Sequence, residues 1–171
     1  LFFGVEPAWR VSQRQFDGDL GMRRLPVGNT SDTLLWAPAG PGWPDEGCSW
    51  YEARERCAHL SVDGMELVDS AVGVWRLPTV GELVRSARQH EQLAGGVYDS
   101  VSGEVEYLYP PDKESPLWDP YSQVIYWWTA TEVDDSTAYK YVYDGKIWPT
   151  SKRAGLPYLG YRAVRAVGGG E

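Results

Sequence analysis

The chain has 171 residues, a length typical of one domain that can bury a sizeable core, so we expect a single domain over residues 1–171. Its content of Trp (9), Tyr (11), Gly (19) and Pro (12) favours short strands, many turns and long loops over a helical bundle. A formal net charge of −8 argues against nucleic acid or an anionic membrane as partner. The sequence has no long apolar run and no signal-peptide pattern, so we expect a soluble chain without direct membrane insertion.

The first quarter of the chain gives weak signals. Alternation of apolar residues predicts a strand within residues 2–16. Asp17-Gly18-Asp19-Leu20-Gly21 is typical of a turn, and its two aspartates match only the start of a calcium-binding loop, so a plain surface turn is the preferred interpretation. A short strand is predicted at residues 33–37, followed by a Pro/Gly-rich loop.

Two helices are predicted from their start signals. Ser49 with Glu52, and Thr79 with Glu82, each have the spacing of a capping box. The apolar residues that recur at helical spacing should be buried; they are Trp50, Ala53, Cys57 and Leu60 in the first helix and Val80, Leu83, Val84 and Ala87 in the second. We interpret both helices as structural.

The chain has two cysteines, Cys48 and Cys57. Nine residues of helical rise would place them about 13 Å apart, beyond the reach of a disulfide. We therefore expect free, buried thiols. Because the only histidines are His59 and His90, we expect no zinc site and no other metal.

The remaining segments are less regular. Arg76 lies in a short apolar segment, where an arginine most often satisfies loop carbonyls or a buried carboxylate. Residues 95–123 are too rich in Pro, Gly, Ser and Asp for regular elements, except for a short hairpin around Ser102-Gly103, and residues 118–121 should fix this loop against the body. Residues 124–131 predict the best strand and residues 159–167 the last one.

Asp144-Gly145, between two runs of β-forming residues, predicts a hairpin with a two-residue type I′ turn. Such a turn would place Tyr141 opposite Trp148 and Tyr139 opposite Thr150. One face would then hold Ala138, Lys140, Val142, Ile147 and Pro149, and the other Tyr139, Tyr141, Tyr143, Lys146, Trp148 and Thr150. Amphipathic rings with polar neighbours are typical of recognition surfaces, so we interpret the second face as exposed. The alternative is that the tyrosines form the core and the aliphatic face is exposed.

Four blocks follow one another in the order expected for a known family. They are Cys48-Ser49-Trp50-Tyr51-Glu52-Ala53 with Cys57; Trp75-Arg76-Leu77-Pro78-Thr79 with Glu82-Leu83; Tyr126-Trp127-Trp128-Thr129-Ala130-Thr131-Glu132; and Tyr161-Arg162-Ala163-Val164-Arg165. Together these blocks resemble the DUF1566 family, found at the carboxyl terminus of Legionella collagen-like protein. The resemblance implies an α+β, C-type-lectin-like fold, with two helices packed on a small twisted antiparallel sheet and long irregular loops. Members often have a cysteine where Ala163 stands here.

The resemblance implies a function as well, since this fold also houses the variable proteins of diversity-generating retroelements. Such a protein would bind a protein or other macromolecular ligand, would be displayed on a larger or multimeric carrier, and would act at a cell surface or on a virus particle. We predict ligand binding by residues near the carboxyl-terminal hairpin, namely Asp134, Asp135, Ser136, Tyr139, Tyr141, Tyr143, Lys146, Trp148, Thr150, Ser151 and Lys152.

An enzymatic function is the main alternative, because the fold also houses the formylglycine-generating enzyme. An oxidase of that type needs reactive cysteines in the carboxyl-terminal part, and none follows Cys57. The adjacent Asp134 and Asp135 should be solvated and inert, and the calcium-binding motifs of sugar-binding C-type lectins are missing. We therefore expect a non-enzymatic domain with no catalytic residue and no cofactor. A structural module of a surface assembly is a further alternative.

Overall fold

The computed structural model describes residues 23–26, 33–90, 92–112 and 122–166. Three expectations lie outside these ranges: the strand within residues 2–16, the turn at residues 17–21 and the loop contact at residues 118–121. The described part of the chain is α+β, with two helices and several small sheets.

The elements follow one another in a mixed order. They are β1 (Arg23–Pro26), β2 (Thr33–Trp36), α1 (Trp50–Ala58), α2 (Val80–Ser86), β3 (Arg88–Gln89), β4 (Gln92–Leu93), β5 (Val97–Asp99), β6 (Glu104–Glu106), β7 (Tyr126–Asp134), β8 (Thr137–Val142), β9 (Ile147–Ser151), β10 (Leu159–Gly160) and β11 (Val164–Ala166). Both predicted helices and the short hairpin β5–β6 are confirmed.

Both helices begin at the predicted capping boxes. The Ser49 side chain accepts a hydrogen bond from the Glu52 backbone N–H at 3.2 Å, and the Glu52 carboxylate accepts one from the Ser49 N–H at 3.0 Å. Thr79 and Glu82 repeat this exchange at 3.1 and 2.9 Å. These bonds satisfy amide groups that the first helical turn leaves without partners. All eight apolar residues expected on the inner faces of the helices are buried.

Arg76 has the structural role that its position predicts. Its guanidinium donates to both carboxylate oxygens of Glu82, each at 2.7 Å, and to the carbonyl of Leu77 at 3.2 Å. Its backbone pairs with Val164 in an antiparallel bridge. The Trp-Arg-Leu-Pro segment is thereby tied both to the start of α2 and to β11.

Two sheets organise the body. Strands β1, β2 and β11 form an antiparallel sheet in the order β1-β2-β11. The larger sheet has the order β10-β7-β8-β9, in which β10 runs parallel to β7 and the other pairs are antiparallel. The single final strand predicted at residues 159–167 is two strands, β10 and β11, which belong to different sheets.

The larger sheet is covered on both faces by apolar clusters. Trp127 of β7 and Tyr141 of β8 pack with the inner face of α2, whereas Trp128 and Ala138 pack with the inner face of α1. Successive strand residues point to opposite faces, so the adjacent indoles of Trp127 and Trp128 lie in different clusters. A hairpin with one apolar and one exposed face was expected, but strand β8 is buried on both sides.

The hairpin between β8 and β9 has a three-residue loop, not the predicted two-residue turn. The Val142 N–H donates to the Lys146 carbonyl and the Gly145 N–H donates to the Val142 carbonyl, both at 2.8 Å. Gly145 has φ of 90°, as expected for a hairpin loop that ends in a left-handed glycine. The loop therefore consists of Tyr143, Asp144 and Gly145.

One additional loop residue moves the register of β9 by one position. The expected pairs Tyr141–Trp148 and Tyr139–Thr150 are wrong: Tyr141 lies opposite Ile147, and Tyr139 lies opposite Pro149. Alternation then gives one face with Ala138, Lys140, Val142, Trp148 and Thr150, and another with Tyr139, Tyr141, Ile147, Pro149 and Ser151. The predicted row of tyrosines and Trp148 on one face does not form.

Cys48 and Cys57 are free and buried, as predicted. Neither described helix has the length and apolar character needed to cross a bilayer.

Candidate functional site

The tip of the β7–β8 hairpin holds the first three residues of the predicted site. Asp134, Asp135 and Ser136 are exposed. The Asp134 carboxylate accepts hydrogen bonds from the backbone N–H and the hydroxyl of Ser136 at 2.9 and 3.2 Å. These hydrogen bonds, the backbone one first, hold the pKa of Asp134 below its ordinary value. Asp134 therefore stabilises the turn through these hydrogen bonds. Asp135 and Ser136 lie beside it and are exposed to solvent.

Lys152 was expected to bind ligand, but it is buried, with 2% of its surface exposed. Its ammonium donates to the Glu132 carboxylate at 2.5 Å and to the Asp135 carbonyl at 3.0 Å. The same ammonium lies 4.5 Å from the centre of the Trp50 ring, within range of a cation–π interaction. Lys152 thus fastens the tip of the β7–β8 hairpin to the start of α1 and cannot present its charge to a partner.

Tyr141 was also expected at the binding surface, and this expectation is wrong. Only 1% of its surface is exposed, and it packs in the cluster with Trp127 and the inner face of α2. Burial raises the pKa of Tyr141 well above its ordinary value. Tyr139, two residues earlier on the same face, is half-buried against this cluster.

Four aromatic side chains and one lysine form a partly exposed group at the other end of the sheet, which we call the aromatic surface. It consists of Tyr126, Lys140, Tyr143, Trp148 and Tyr158. Trp148 is 53%, Tyr143 44% and Tyr158 38% exposed. These residues come from β7, β8, the hairpin loop, β9 and the segment before β10, so only the folded chain brings them together.

Tyr126 is the centre of the aromatic surface. Its ring stacks on Tyr143 with centroids 6.4 Å apart and planes inclined by 27°. It meets Tyr158 edge to face at 5.2 Å and 74°. The Lys140 ammonium lies 4.8 Å from the Tyr126 ring centre. Such contacts restrict the orientations of the Tyr126, Tyr143 and Tyr158 rings.

An open depression of about 390 Å³ lies within this surface and is lined by Tyr126, Lys140, Val142 and Trp148. Lys140 and Trp148 are cross-strand neighbours on β8 and β9, so their side chains lie side by side on the same face. The buried Val142 forms the floor of the depression. The lining therefore offers ring faces, one aliphatic side chain and one ammonium group. This arrangement suits a partner that buries an apolar side chain in the depression and places a neighbouring polar group beside the Lys140 ammonium.

Part of the aromatic surface was predicted from the sequence, and the rest was not. Tyr143 and Trp148 were predicted, and Thr150 lies beyond Trp148 on the same face of β9. The other lining and flanking residues were not predicted to bind; they are Tyr126, Lys140, Val142 and Tyr158. No short sequence motif marks these four residues as a group, because three of them lie in two different strands and the fourth lies in a loop.

The other two predicted residues lie outside the depression. Lys146 is exposed, with its ammonium 3.7 Å from the Asp144 carboxylate. Ser151 is exposed at the end of β9, on the face opposite Trp148.

A second and larger cavity, of about 500 Å³ and as open as the first depression, lies on the opposite side of the sheet, and we call it the Arg85 cavity. It is lined by Thr79, Gly81, Arg85, Tyr98, Ser100, Thr131, Glu132, Val133 and Tyr139. Most of these residues carry hydroxyl groups, and Arg85 supplies a guanidinium. Tyr139 is the one residue of the predicted binding site that lines it.

Comparison with protein-family models and with curated proteins finds no match to this chain. Within the described ranges, no group of three or more His, Cys, Asp or Glu side chains is placed to hold a metal ion.

Proposed function

We propose that this protein is a non-enzymatic recognition domain that binds a protein or other macromolecular ligand through the aromatic surface. The observation that carries this proposal is the exposure of Tyr143, Trp148 and Tyr158 beside the half-buried Tyr126. Contiguous exposed rings are uncommon on a surface that meets only water. Tyr and Trp bury a large area at low cost in conformational entropy, and they dominate binding energy at interfaces.

The polar groups around the rings would provide specificity. Lys140 contributes an ammonium inside the depression, and Thr150 adds a hydroxyl on the same face. A partner with an apolar side chain next to a carboxylate would match this combination, since the charge pair would be partly shielded from water. The single domain could bind with modest affinity, which display in several copies would raise through avidity.

The family resemblance is consistent with this function. We propose a C-type-lectin-like fold of the DUF1566 type and a role as the variable protein of a diversity-generating retroelement. The support is the order of the four sequence blocks between Cys48 and Arg165, together with two helices packed on a small sheet that is mostly antiparallel. Within this proposal, the partner is macromolecular and the carrier is exposed on a cell or virus particle.

The chemistry of the cysteines disfavours the oxidoreductase alternative. Burial raises the pKa of Cys48 to about 11, and burial likewise raises the pKa of Cys57. Thiol chemistry requires the thiolate, which neither residue supplies near neutral pH. This supports a binding role over a cysteine-based reaction.

The test is partner capture with matched surface variants. Wild-type protein and the double variant Tyr143→Ser/Trp148→Ser would be immobilised and exposed to surface proteins of the organism that encodes the chain. Val101→Ser is the control, because Val101 is an almost fully exposed apolar residue in the β5–β6 turn, outside the aromatic surface. A captured partner is then purified and its Kd is measured for each variant.

We expect the double variant to bind the purified partner roughly 30-fold or more weakly, since hot-spot residues each contribute more than about 1–2 kcal/mol. The Val101→Ser variant should bind like wild type. A partner whose Kd is unchanged in the double variant would contradict the assignment of the aromatic surface.

A further inference from the structure

Among the described residues, Arg85 is a cation without a counterion at the wall of an open cavity. It occupies the last turn of α2 and lines the Arg85 cavity. Its Nε atom is buried and has no hydrogen-bond partner, and in the described part of the chain no ion pair or ring contact with Arg85 occurs. Buried polar groups are nearly always satisfied, so the unpaired Nε atom of Arg85 calls for an explanation.

Gly81 leaves room for the Arg85 guanidinium to lie along the first turn of α2. A Cβ atom placed on Gly81 would lie 3.0 Å from the Arg85 Nη1 atom, a distance that real Cβ contacts rarely reach. The glycine four residues before Arg85 thus allows the side chain to fold back over α2. The guanidinium is thereby kept at the cavity wall, where its remaining N–H groups can meet a ligand.

The carboxylate in the same cavity is already engaged. Glu132 accepts the hydrogen bond from the buried Lys152 ammonium at 2.5 Å, and that bond, first among its causes, lowers the pKa of Glu132. Glu82 of the same helix is held by Arg76 through both oxygens. Neither nearby carboxylate is therefore left to neutralise Arg85.

The rest of the lining is rich in hydroxyl groups. Among the described residues, the hydroxyls of Tyr98, Ser100 and Tyr139 make no hydrogen bond. Thr79 and Thr131 use their oxygens to accept from the backbone N–H groups of Glu82 and Val80. Thr79 can still donate its proton, whereas the Thr131 hydroxyl has no other hydrogen bond in the described ranges. The cavity therefore presents one fixed cation, several hydroxyl donors and the two phenol rings of Tyr98 and Tyr139.

We propose that the Arg85 cavity binds an oxyanion carried on a small polyhydroxylated ligand, a uronic acid or a sugar phosphate. The planar fork of an arginine matches the geometry of a carboxylate or phosphate. Hydroxyl groups and the faces of phenol rings suit the polar edge and the C–H face of a sugar ring. A cavity of about 500 Å³ lies within the range that small-molecule sites occupy.

This site is independent of the proposed function. Tyr139 and Lys140 are adjacent on β8, so they point to opposite faces of the sheet, and the aromatic surface lies on the face of Lys140. A ligand in the Arg85 cavity would therefore leave the aromatic surface open, and either site could be disabled alone.

The test is titration of the isotope-labelled chain at low ionic strength, followed by amide chemical shifts. The probes are D-glucuronate, glucose 6-phosphate, neutral D-glucose and inorganic phosphate. We expect glucuronate or glucose 6-phosphate to shift the amides of Thr79, Arg85 and Ser100. Glucose and inorganic phosphate should bind more weakly by roughly tenfold or more, because each lacks one of the two recognised features.

Two variants and one control decide the assignment. Arg85→Gln should weaken binding of the charged sugar by roughly tenfold or more, and Tyr98→Phe, which keeps the ring, should weaken it by about threefold. Arg153→Gln removes an exposed arginine outside both sites and should leave the affinity unchanged. The proposal is overturned if neither charged sugar binds, if glucose or phosphate binds equally well, or if Arg85→Gln binds like wild type. Trp148→Ala should not alter this affinity, whichever way the partner experiment turns out.

Discussion

Lys140 and Trp148 are cross-strand partners in the antiparallel pair of β8 and β9. The pairing places the indole of Trp148 on the face of Lys140 and Tyr126, away from the buried Tyr141. A shift of one residue in the register would move Trp148 to the opposite face of the sheet. The aromatic surface therefore depends on the length of the loop that joins the two strands.

Gly145 should be the most sensitive position in that loop. It has φ of 90°, and a Cβ atom there would lie 2.6 Å from Pro111 Cγ and 2.9 Å from the Tyr107 ring. Gly145→Ala therefore combines backbone strain with a steric clash, and we expect it to lower the free energy of unfolding by about 2 kcal/mol or more. Urea denaturation measures this loss.

A second glycine provides the control for this substitution. A Cβ atom placed on Gly155 would have no neighbour within 4 Å, and Gly155 has no positive φ. Gly155→Ala should therefore change stability by less than about 1 kcal/mol. Equal losses in the two variants would show that the Gly145 conformation does not constrain the loop.

Lys152 should stabilise the fold, although it was expected to bind ligand. Lys152→Met removes the hydrogen bonds to Glu132 and to the Asp135 carbonyl and the contact with the Trp50 ring. We expect a loss of about 1–3 kcal/mol in the free energy of unfolding, as for other hydrogen bonds made by charged groups. Chemical denaturation of the purified variant measures it.

The matched control is Lys146→Met, which alters a lysine with an exposed side chain. Its effect should stay within about 0.5 kcal/mol. A Lys152 variant as stable as the Lys146 variant would contradict the stabilising role of the Lys152 contacts.

The two faces of β8–β9 should respond differently to truncation. Tyr141→Ala removes a fully buried ring from the cluster with Trp127 and should cost about 3–5 kcal/mol of stability. Trp148→Ala removes a ring that is more than half exposed and should cost less than about 1 kcal/mol. Thermal and urea unfolding of both variants test this ranking. A reversed order would mean that Trp148 is a core residue.

Glu82 should make stability depend on pH. Burial of this carboxyl disfavours its ionised form, but hydrogen bonds from Arg76 and Thr79 outweigh burial, and the pKa of Glu82 lies below its ordinary value of 4.5. A lowered pKa in the folded state means that the contribution is complete above pH 4.5 and disappears as the pH falls through the folded value. Wild type should therefore lose stability on acidification from this group.

The measurement compares unfolding free energies at about pH 7 and about pH 3 for wild type and Glu82→Gln. The difference between the two pH values should be smaller in Glu82→Gln, because its side chain cannot titrate. Glu55→Gln, which changes an exposed carboxylate of α1, should keep the wild-type dependence. Parallel pH profiles for wild type and Glu82→Gln would contradict the role of the Arg76–Glu82 pair.

Features that depend on local chemistry could be predicted from the amino-acid order. The capping boxes at Ser49 and Thr79 mark where the helices begin, since their hydrogen bonds join residues three apart. The helical spacing of apolar residues predicts both buried faces. An arginine in a short apolar segment predicts a partner among loop carbonyls or carboxylates, and for Arg76 this partner is Glu82. Such features need no knowledge of distant segments.

The exposure of individual hairpin residues, in contrast, was settled by long-range packing. Tyr141 and Trp148 have similar chemistry, but α2 covers one and nothing in the described chain covers most of the other. The residues next to Lys152 in the sequence predict an exposed lysine. In the folded chain Trp50 and Glu132 contact its ammonium, and Lys152 is buried. Burial depends on segments far apart in the sequence, and a one-residue difference in loop length reverses every side chain of a strand.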